Sequence, residues 1–357
     1  TDAAVTPWQI EDGSGNPVEA TGDEQVELFR SVKAGNGRVE IALTDGGTLS
    51  AAQVNDLSVA GTANCYVVSA PGTYVFNARV RGNGAGEGVG FEPAIEMADG
   101  MTADWLWTDS EGLVSGVALD TTSGDIFLTV GEGRGNALVA LMQDGKVVWS
   151  WHVWVTDAPQ TMTYGNGTVF MDRNLGAVGT TAGGTDAYGM YYQWGRKDPF
   201  YGGEKTETSA NAFLEAKNGT VVNPAYPALD WAFSKSATTT DGAAANPMTF
   251  YNDKVGTGYN WLASPNATLW GEAKTLNDPC PPGYRVPETG AWEDLISGRQ
   301  YIDGVSVWDG TNYGMTYTHG GQTAWYPAQG YRNYSSGAIV GLRSSTGGSG
   351  AYWSAET

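Results

Sequence analysis

Two aromatic and polar clusters in the C-terminal part of this 357-residue chain carry the residue types of a saccharide site. They are Trp308-Asp309-Gly310-Thr311-Asn312-Tyr313 and Trp325-Tyr326-Pro327-Ala328-Gln329. A sugar ring presents an apolar face that stacks on an aromatic ring, and hydroxyls that pair with amides and carboxylates. Trp308, Tyr313, Trp325 and Tyr326 are therefore the candidate stacking groups, and Asp309, Asn312 and Gln329 the candidate hydrogen-bond partners. The reading that competes with this one, and stands ahead of it on residue type alone, is that the same rings pack the loops against a core.

Catalytic and metal chemistry find fewer residues to use. The chain has two histidines, so a Ser-His-Asp triad would have to recruit His152 or His319, and no multi-histidine metal site can form. His152 sits in a strand-like run beside three tryptophans, a packing position, and His319 in Thr318-His319-Gly320-Gly321 reads as an exposed loop. There is no Cys-x-x-Cys and no Asp-x-Asp-x-Asp-Gly run, and the two cysteines, Cys65 and Cys280, cannot make a disulfide-dependent scaffold; they fall in different expected domains, and a bridge between them is not the expectation. The Gly-rich stretches 82–90 and 346–350 do not lie between a strand and a helix, which removes a phosphate-loop reading. The expectation is a protein that is not an enzyme and uses no metal and no cofactor.

A net charge of −20 repels phosphate backbones and anionic lipid head groups, so nucleic acid is not an expected partner. No apolar run approaches the length of a transmembrane helix, and the start at Thr1 without a signal peptide reads as a mature or trimmed form. The length favours two or three domains. With 51 glycines, 18 tyrosines, 14 tryptophans and only 16% charged residues, the composition is that of a β-rich or loop-heavy α+β protein.

The elements that must position these residues follow from pattern. Within 1–60, Val26-Glu27-Leu28-Phe29 and Arg38-Val39-Glu40-Ile41-Ala42-Leu43 read as strands too short for a core of their own, part of a partial or shared sandwich. Within 61–158 about seven strand-like runs alternate with turn signals, which argues for a β-sandwich of immunoglobulin-like or transthyretin-like type. In the last run Val147, Trp149, Trp151 and Val153 are expected on one face and Val148, Ser150, His152 and Trp154 on the other. Asp144-Gly145 before it predicts a hairpin. Thr156-Asp157-Ala158-Pro159 reads as a linker, after which 159–357 is rich in Gly, Asn and Ser loops, with 238–247 expected to be mobile. Pro281, Pro282 and Pro287 hold 280–287 extended. Thr289 is the expected N-cap of a short helix whose apolar face is Trp292, Leu295 and Ile296, stopped at Gly298. Arg173 with Asp172 and Asn174, and Arg285, read as bracing groups.

Several of these stretches also carry a resemblance. Ala63-Asn64-Cys65-Tyr66-Val67-Val68-Ser69-Ala70-Pro71-Gly72-Thr73-Tyr74-Val75-Phe76, followed by Trp149-Ser150-Trp151-His152-Val153-Trp154-Val155-Thr156-Asp157, resembles the sandwich module of secreted Bacteroidetes proteins. Five ordered blocks then resemble the Fibrobacter-succinogenes-type major paralogous domain. They are Phe170-Met171-Asp172-Arg173-Asn174-Leu175-Gly176-Ala177, the run from Tyr188 to Phe200, the run from Cys280 to Leu295, Gly330-Tyr331-Arg332 and Tyr352-Trp353-Ser354. That domain is similar to the C-type-lectin-like fold and occurs in fimbrillin-type pilus tip adhesins and surface lipoproteins. The resemblance implies a mainly β plus α+β protein, an N-terminal β-sandwich followed by a C-type-lectin-like domain over 159–357 with few short helices. It implies that this domain is truncated at its C-terminus, with any disulfide partner of Cys280 in the tail beyond Thr357. The function implied is that of a cell-surface adhesin, the tip subunit of a fimbrial pilus. Assembly would proceed by donor-strand insertion from other pilin subunits, after proteolytic removal of a leader. The C-terminal domain would bind a host or bacterial surface glycan or protein. The alternative is an outer-membrane surface lipoprotein that binds glycans for nutrient capture. The calcium-binding triplets of true C-type lectins are absent, and Asp120-Thr121-Thr122 fits the short O-glycosylation motif of this bacterial group.

Overall fold

The computed structural model describes residues 31–34, 37–44, 48–83, 94–201, 220–293, 306–341 and 350–355. Two compact units divide the chain, Thr1–Asn55 and Asp56–Thr357. Both are built of strands, and a single α-helix occurs among the described residues. In the first unit β1 (Ser31–Ala34), β2 (Gly37–Thr44) and β3 (Thr48–Asp56) run as an antiparallel meander. The strand expected at Val26-Glu27-Leu28-Phe29 lies outside the described residues.

In the second unit the strand-like runs of the sequence become two sheets. One pairs β5 (Gly72–Asn77) and β7 (Val114–Asp120) on either side of β8 (Asp125–Val130), all antiparallel. The other has β6 (Met101–Thr108), β9 (Gly135–Gln143) and β10 (Lys146–Val155) antiparallel, with β4 (Cys65–Val68) parallel to β10 at its end. Asp144 and Gly145 close the β9–β10 hairpin with φ of 50° and 73°, the pair of positive values that a two-residue turn of matching twist requires. One core lies between the sheets, with Tyr74, Phe76 and Leu128 from the first meeting Tyr66, Val139 and Trp151 from the second.

The outer face of the second sheet is buried too. Leu106, Trp107, Leu138 and Met142 pack against Met190, Phe200, Trp231 and Phe250 from the C-terminal half of the chain. Eight of the nine residues of β9 are therefore buried, and its sequence runs apolar where a half-solvated strand would alternate. A short strand from the C-terminal half, β11 (Val221–Val222), also pairs with β6. The expected facing of β10 needs one correction. A bulge between Val147 and Trp149 interrupts the register. Val148 then packs with Trp149 on the inner core, while Val147 joins the outer one.

Two further expectations change in the C-terminal half. The stretch expected to be a mobile loop at 238–247 holds α1 (Thr240–Ala245). The Thr239 hydroxyl accepts the Gly242 amide at 3.0 Å and buried Ala243 and Ala244 anchor the helix, so a cap and an alanine run outweigh the look of a small-residue loop. After Pro287 the cap position is Glu288. Thr289 is the first residue of a 3₁₀ turn, Thr289–Trp292, with no side-chain cap, and the Thr289 hydroxyl instead faces the Ser354 hydroxyl at 3.4 Å. Leu295, Ile296 and Gly298 lie outside the described residues.

Candidate aromatic groove

A groove of about 650 Å³ opens in the C-terminal half of the second unit. Three stretches that are far apart in sequence build it, 166–175, 279–292 and 351–353, with Trp325, Tyr326 and Gln329 closing one side. Its wall is a packed set of rings. Trp292 lies 4.8 Å from Phe170, 5.9 Å from Tyr352 and 6.2 Å from Tyr326, and Tyr326 meets Tyr352 edge to face at 5.3 Å. Ring pairs of this kind favour tilted and edge-on contact, and two of the rings, Phe170 and Tyr326, are carried on short strands.

Trp353 is the ring that reaches solvent, 49% exposed on the groove rim. Its position is fixed from behind. Its indole N–H donates to the Tyr192 carbonyl at 2.8 Å, its own carbonyl accepts from Trp292 Nε1 at 3.2 Å, and the Ala355 amide donates to the Pro287 carbonyl at 2.8 Å. At the polar margin Arg285 faces Glu288 at 3.7 Å, both about two-fifths exposed. Arg173 also borders the groove, but its guanidinium is committed. It donates to both oxygens of Asp172 and of Asp157 and to the Thr156 hydroxyl at 2.8–3.1 Å. Those Arg173 hydrogen bonds hold the Asp157 carboxyl at about 2, and the bracing role read from the sequence describes this cluster.

The seven residues singled out in the sequence divide between two places. Trp325, Tyr326 and Gln329 line the groove. Trp325 is buried with its ring laid over Gly314, Tyr326 shares a hydrogen bond with the Tyr164 hydroxyl, and the Gln329 side-chain oxygen accepts the Gly189 amide at 2.8 Å. Trp308, Asp309, Asn312 and Tyr313 lie away from it, and they are not in a long loop. Trp308 and Asp309 end β12 (Ser306–Asp309), which turns into β13 (Gly314–His319) and then β14 (Gln322–Pro327) as an antiparallel hairpin pair. Asp309 closes the first turn. It accepts the amides of Thr311 and Asn312 at 2.8 and 3.0 Å and the Asn312 side-chain amide at 2.6 Å. These bonds, led by the Asn312 amide, lower its pKa. Tyr313 takes the left-handed position with φ of 53°, and Trp308 stays 43% exposed outside the groove. His319 closes β13, half-buried, and Gly320 and Gly321 form the turn that the sequence assigned to a loop. His152 is fully buried beneath the sheet.

Trp353, Tyr352, Trp292 and Phe170 went unassigned as site residues. No local spacing joins them, and the one signal was that each falls in a stretch carrying the resemblance. Gly314 is a direct test of the wall. A Cβ there would lie 2.3 Å from Trp325 Cζ2 and 2.7 Å from the Tyr326 carbonyl oxygen. Gly314→Ala is expected to cost about 1–3 kcal/mol by overpacking and to shift tryptophan fluorescence as Trp325 moves. Unchanged thermal unfolding and emission would mean that the ring is not seated on this glycine.

The fold and groove define a mainly β protein with an aromatic cleft in its C-terminal half. Comparison of the chain with protein-family models, with curated proteins and with solved structures returned no match.

Proposed function

We propose that this chain is a non-enzymatic cell-surface adhesin, the tip subunit of a fimbrial pilus assembled by donor-strand insertion, and that its C-terminal half takes a surface glycan in the aromatic groove. In this reading 61–158 is an immunoglobulin-like or transthyretin-like sandwich and 159–357 a C-type-lectin-like domain. The observation that carries the binding reading is Trp353, an exposed ring anchored by its indole N–H on the rim of a groove whose lining includes Trp292, Tyr326 and Tyr352. A preorganised ring offers a stacking surface without an ordering cost on binding. Arg285 and Glu288, both partly exposed beside it, supply a donor and an acceptor for hydroxyls. The pilus assignment rests on the sequence resemblance.

Trp353→Ala is expected to weaken binding to an immobilised glycan panel roughly tenfold while leaving the thermal unfolding curve near that of the parent. A parent protein that binds no glycan, or a variant that binds equally well, would sink the groove reading. Assembly is tested apart from it, by immunogold microscopy with antibody against 161–357. Gold at filament ends supports the tip subunit, and gold scattered over the envelope favours an outer-membrane lipoprotein that captures glycan.

A further inference from the structure

The two cysteines are distant in sequence, yet the fold brings their chain segments together along one seam. The Asn64 side-chain amide donates to the carbonyls of Leu276 and Asp278 at 2.7 and 2.9 Å, across 212 and 214 residues of sequence. A Cβ on Gly61 would lie 3.9 Å from Pro282 Cβ, so the seam is closed at a second point. Cys65 follows Asn64 as the first residue of β4, and Cys280 lies between Asp278 and Pro282. The facing of β4 agrees. Tyr66 and Val68 enter the core between the sheets, so Cys65 points to the opposite side of the strand. The Cys280 side is held still by Asp278, which accepts the amides of Cys280 and Val286 at 2.8 and 2.9 Å, and by Lys274, which reaches Asp278 and the Cys280 carbonyl at 2.8 and 2.7 Å.

Both thiols are buried, and burial raises the pKa of each; both feel Lys274 and Asp278, and Cys280 also feels Cys65. The Tyr192 phenol, whose buried hydroxyl has no hydrogen-bond partner among the described residues, feels both sulfurs. Cys280 further borders the groove, which gives one of the pair a path to solvent.

We propose that Cys65 and Cys280 are a disulfide pair that closes when the protein meets a thiol–disulfide oxidant, locking the sandwich to the floor of the groove. The Cys280 thiolate attacks a carrier disulfide, forming a mixed disulfide and expelling one carrier thiolate. The Cys65 thiolate then attacks the Cys280 sulfur and expels the second. Two protein thiols are oxidised, one carrier disulfide is reduced to two thiols, and the protons lost by the cysteines pass to those thiols. This pairing differs from the partner in a C-terminal tail that the sequence resemblance implies for Cys280.

The test is refolding of the full chain in a glutathione and glutathione-disulfide buffer, followed by intact mass, thiol titration in guanidinium and non-reducing peptide mapping. The expected product has lost two hydrogens, titrates no thiol and yields one linked peptide joining 65 and 280. A bond closing so long a loop should also raise Tm by roughly 5–10 °C over the reduced protein. Two free thiols after oxidation, a glutathione adduct on Cys280 with Cys65 still reduced, or a cross-linked dimer through Cys280 would each overturn the pairing. The thiol count needs no variant. Cys65→Ala/Cys280→Ala then provides the control in which the oxidant leaves Tm unmoved.

Discussion

Asp198→Asn is expected to destabilise the protein by about 3–5 kcal/mol, the cost of leaving a buried ammonium without its counter-ion. Lys197 and Asp198 are buried against Ser150, a buried residue of β10. Lys197 Nζ donates to Asp198 Oδ1 at 2.5 Å and to the Ser150 hydroxyl and carbonyl at 2.6 and 3.0 Å, while the Ser150 hydroxyl donates to the same Asp198 oxygen at 2.6 Å. The ammonium also lies 4.4 Å from the Trp149 ring centroid. Burial lowers the Lys197 pKa and the Asp198 charge opposes that drop. With the carboxylate gone only the burial effect remains, and the folded state can escape by releasing the Lys197 proton. A lysine pKa depressed in the folded state means that the unfolded chain binds more protons between the two values. Stability of the variant should therefore rise toward alkaline pH, up to the unfolded lysine value. The pair taken as a unit should be far less costly to replace, so Lys197→Met/Asp198→Asn is expected to be less destabilised than the sum of its single variants by at least about 2 kcal/mol. Chemical denaturation of the four proteins measures this. Additive single effects would mean that the ion pair is not coupled in solution.

That pair also marks the limit of what the sequence disclosed. Arg196-Lys197-Asp198 places three charged residues in a row, and all three are buried. Arg196 donates to the Gln193 side chain and the Thr249 carbonyl at 2.9 and 2.7 Å, and sits 4.9 Å from the Phe200 ring. Residue type gives exposure only when the neighbours are known, and here the neighbours are a second layer packed on the outer face of the sheet. The strands themselves were legible, because apolar runs between Gly, Pro and Asp-Gly turns report local geometry, and Asp144-Gly145 fell where it was expected. The bulge at Val148 was not, since it depends on how β9 and β10 share one register. The candidate site divided in the same way. Tyr326 and Trp325 were visible as paired rings in a short span. The Asp309 carboxylate, placed among the ligand contacts, is taken up by its own turn. Trp292, Tyr352 and Trp353 meet only after the chain has folded across long separations.

Acid should unfold this protein earlier than its carboxylates alone would require, and His152 is the reason. Asn136 fixes the state of the ring. Its side-chain N–H groups donate to Asp109 at 2.8 Å and to the Gly176 carbonyl at 3.0 Å, so its oxygen is the atom 2.8 Å from His152 Nε2. His152 therefore donates through Nε2–H and is neutral, with Nδ1 buried and without a partner among the described residues. A proton on Nδ1 would add a charge to the core with no acceptor for the new N–H, and burial accordingly lowers its pKa to about 3. The unfolded chain takes up that proton near pH 6.5 and the folded chain does not. Stability is then full above that value and falls as pH drops toward 3, by about 1.4 kcal/mol per pH unit and roughly 4–5 kcal/mol in all. Asp157, held at about 2, adds a loss in the same direction only below the ordinary carboxylate range. The interval from pH 6.5 to 4.5 thus belongs to the histidine, where about 2–3 kcal/mol should be lost. His152→Leu gives up the hydrogen bond to Asn136 and should be less stable at pH 7, yet its stability should be flat across that interval. Denaturation midpoints at pH 7, 6, 5 and 4.5 for both proteins decide it: parallel slopes would place the acid sensitivity elsewhere, and a slope that vanishes with the imidazole would assign it to this buried, neutral ring.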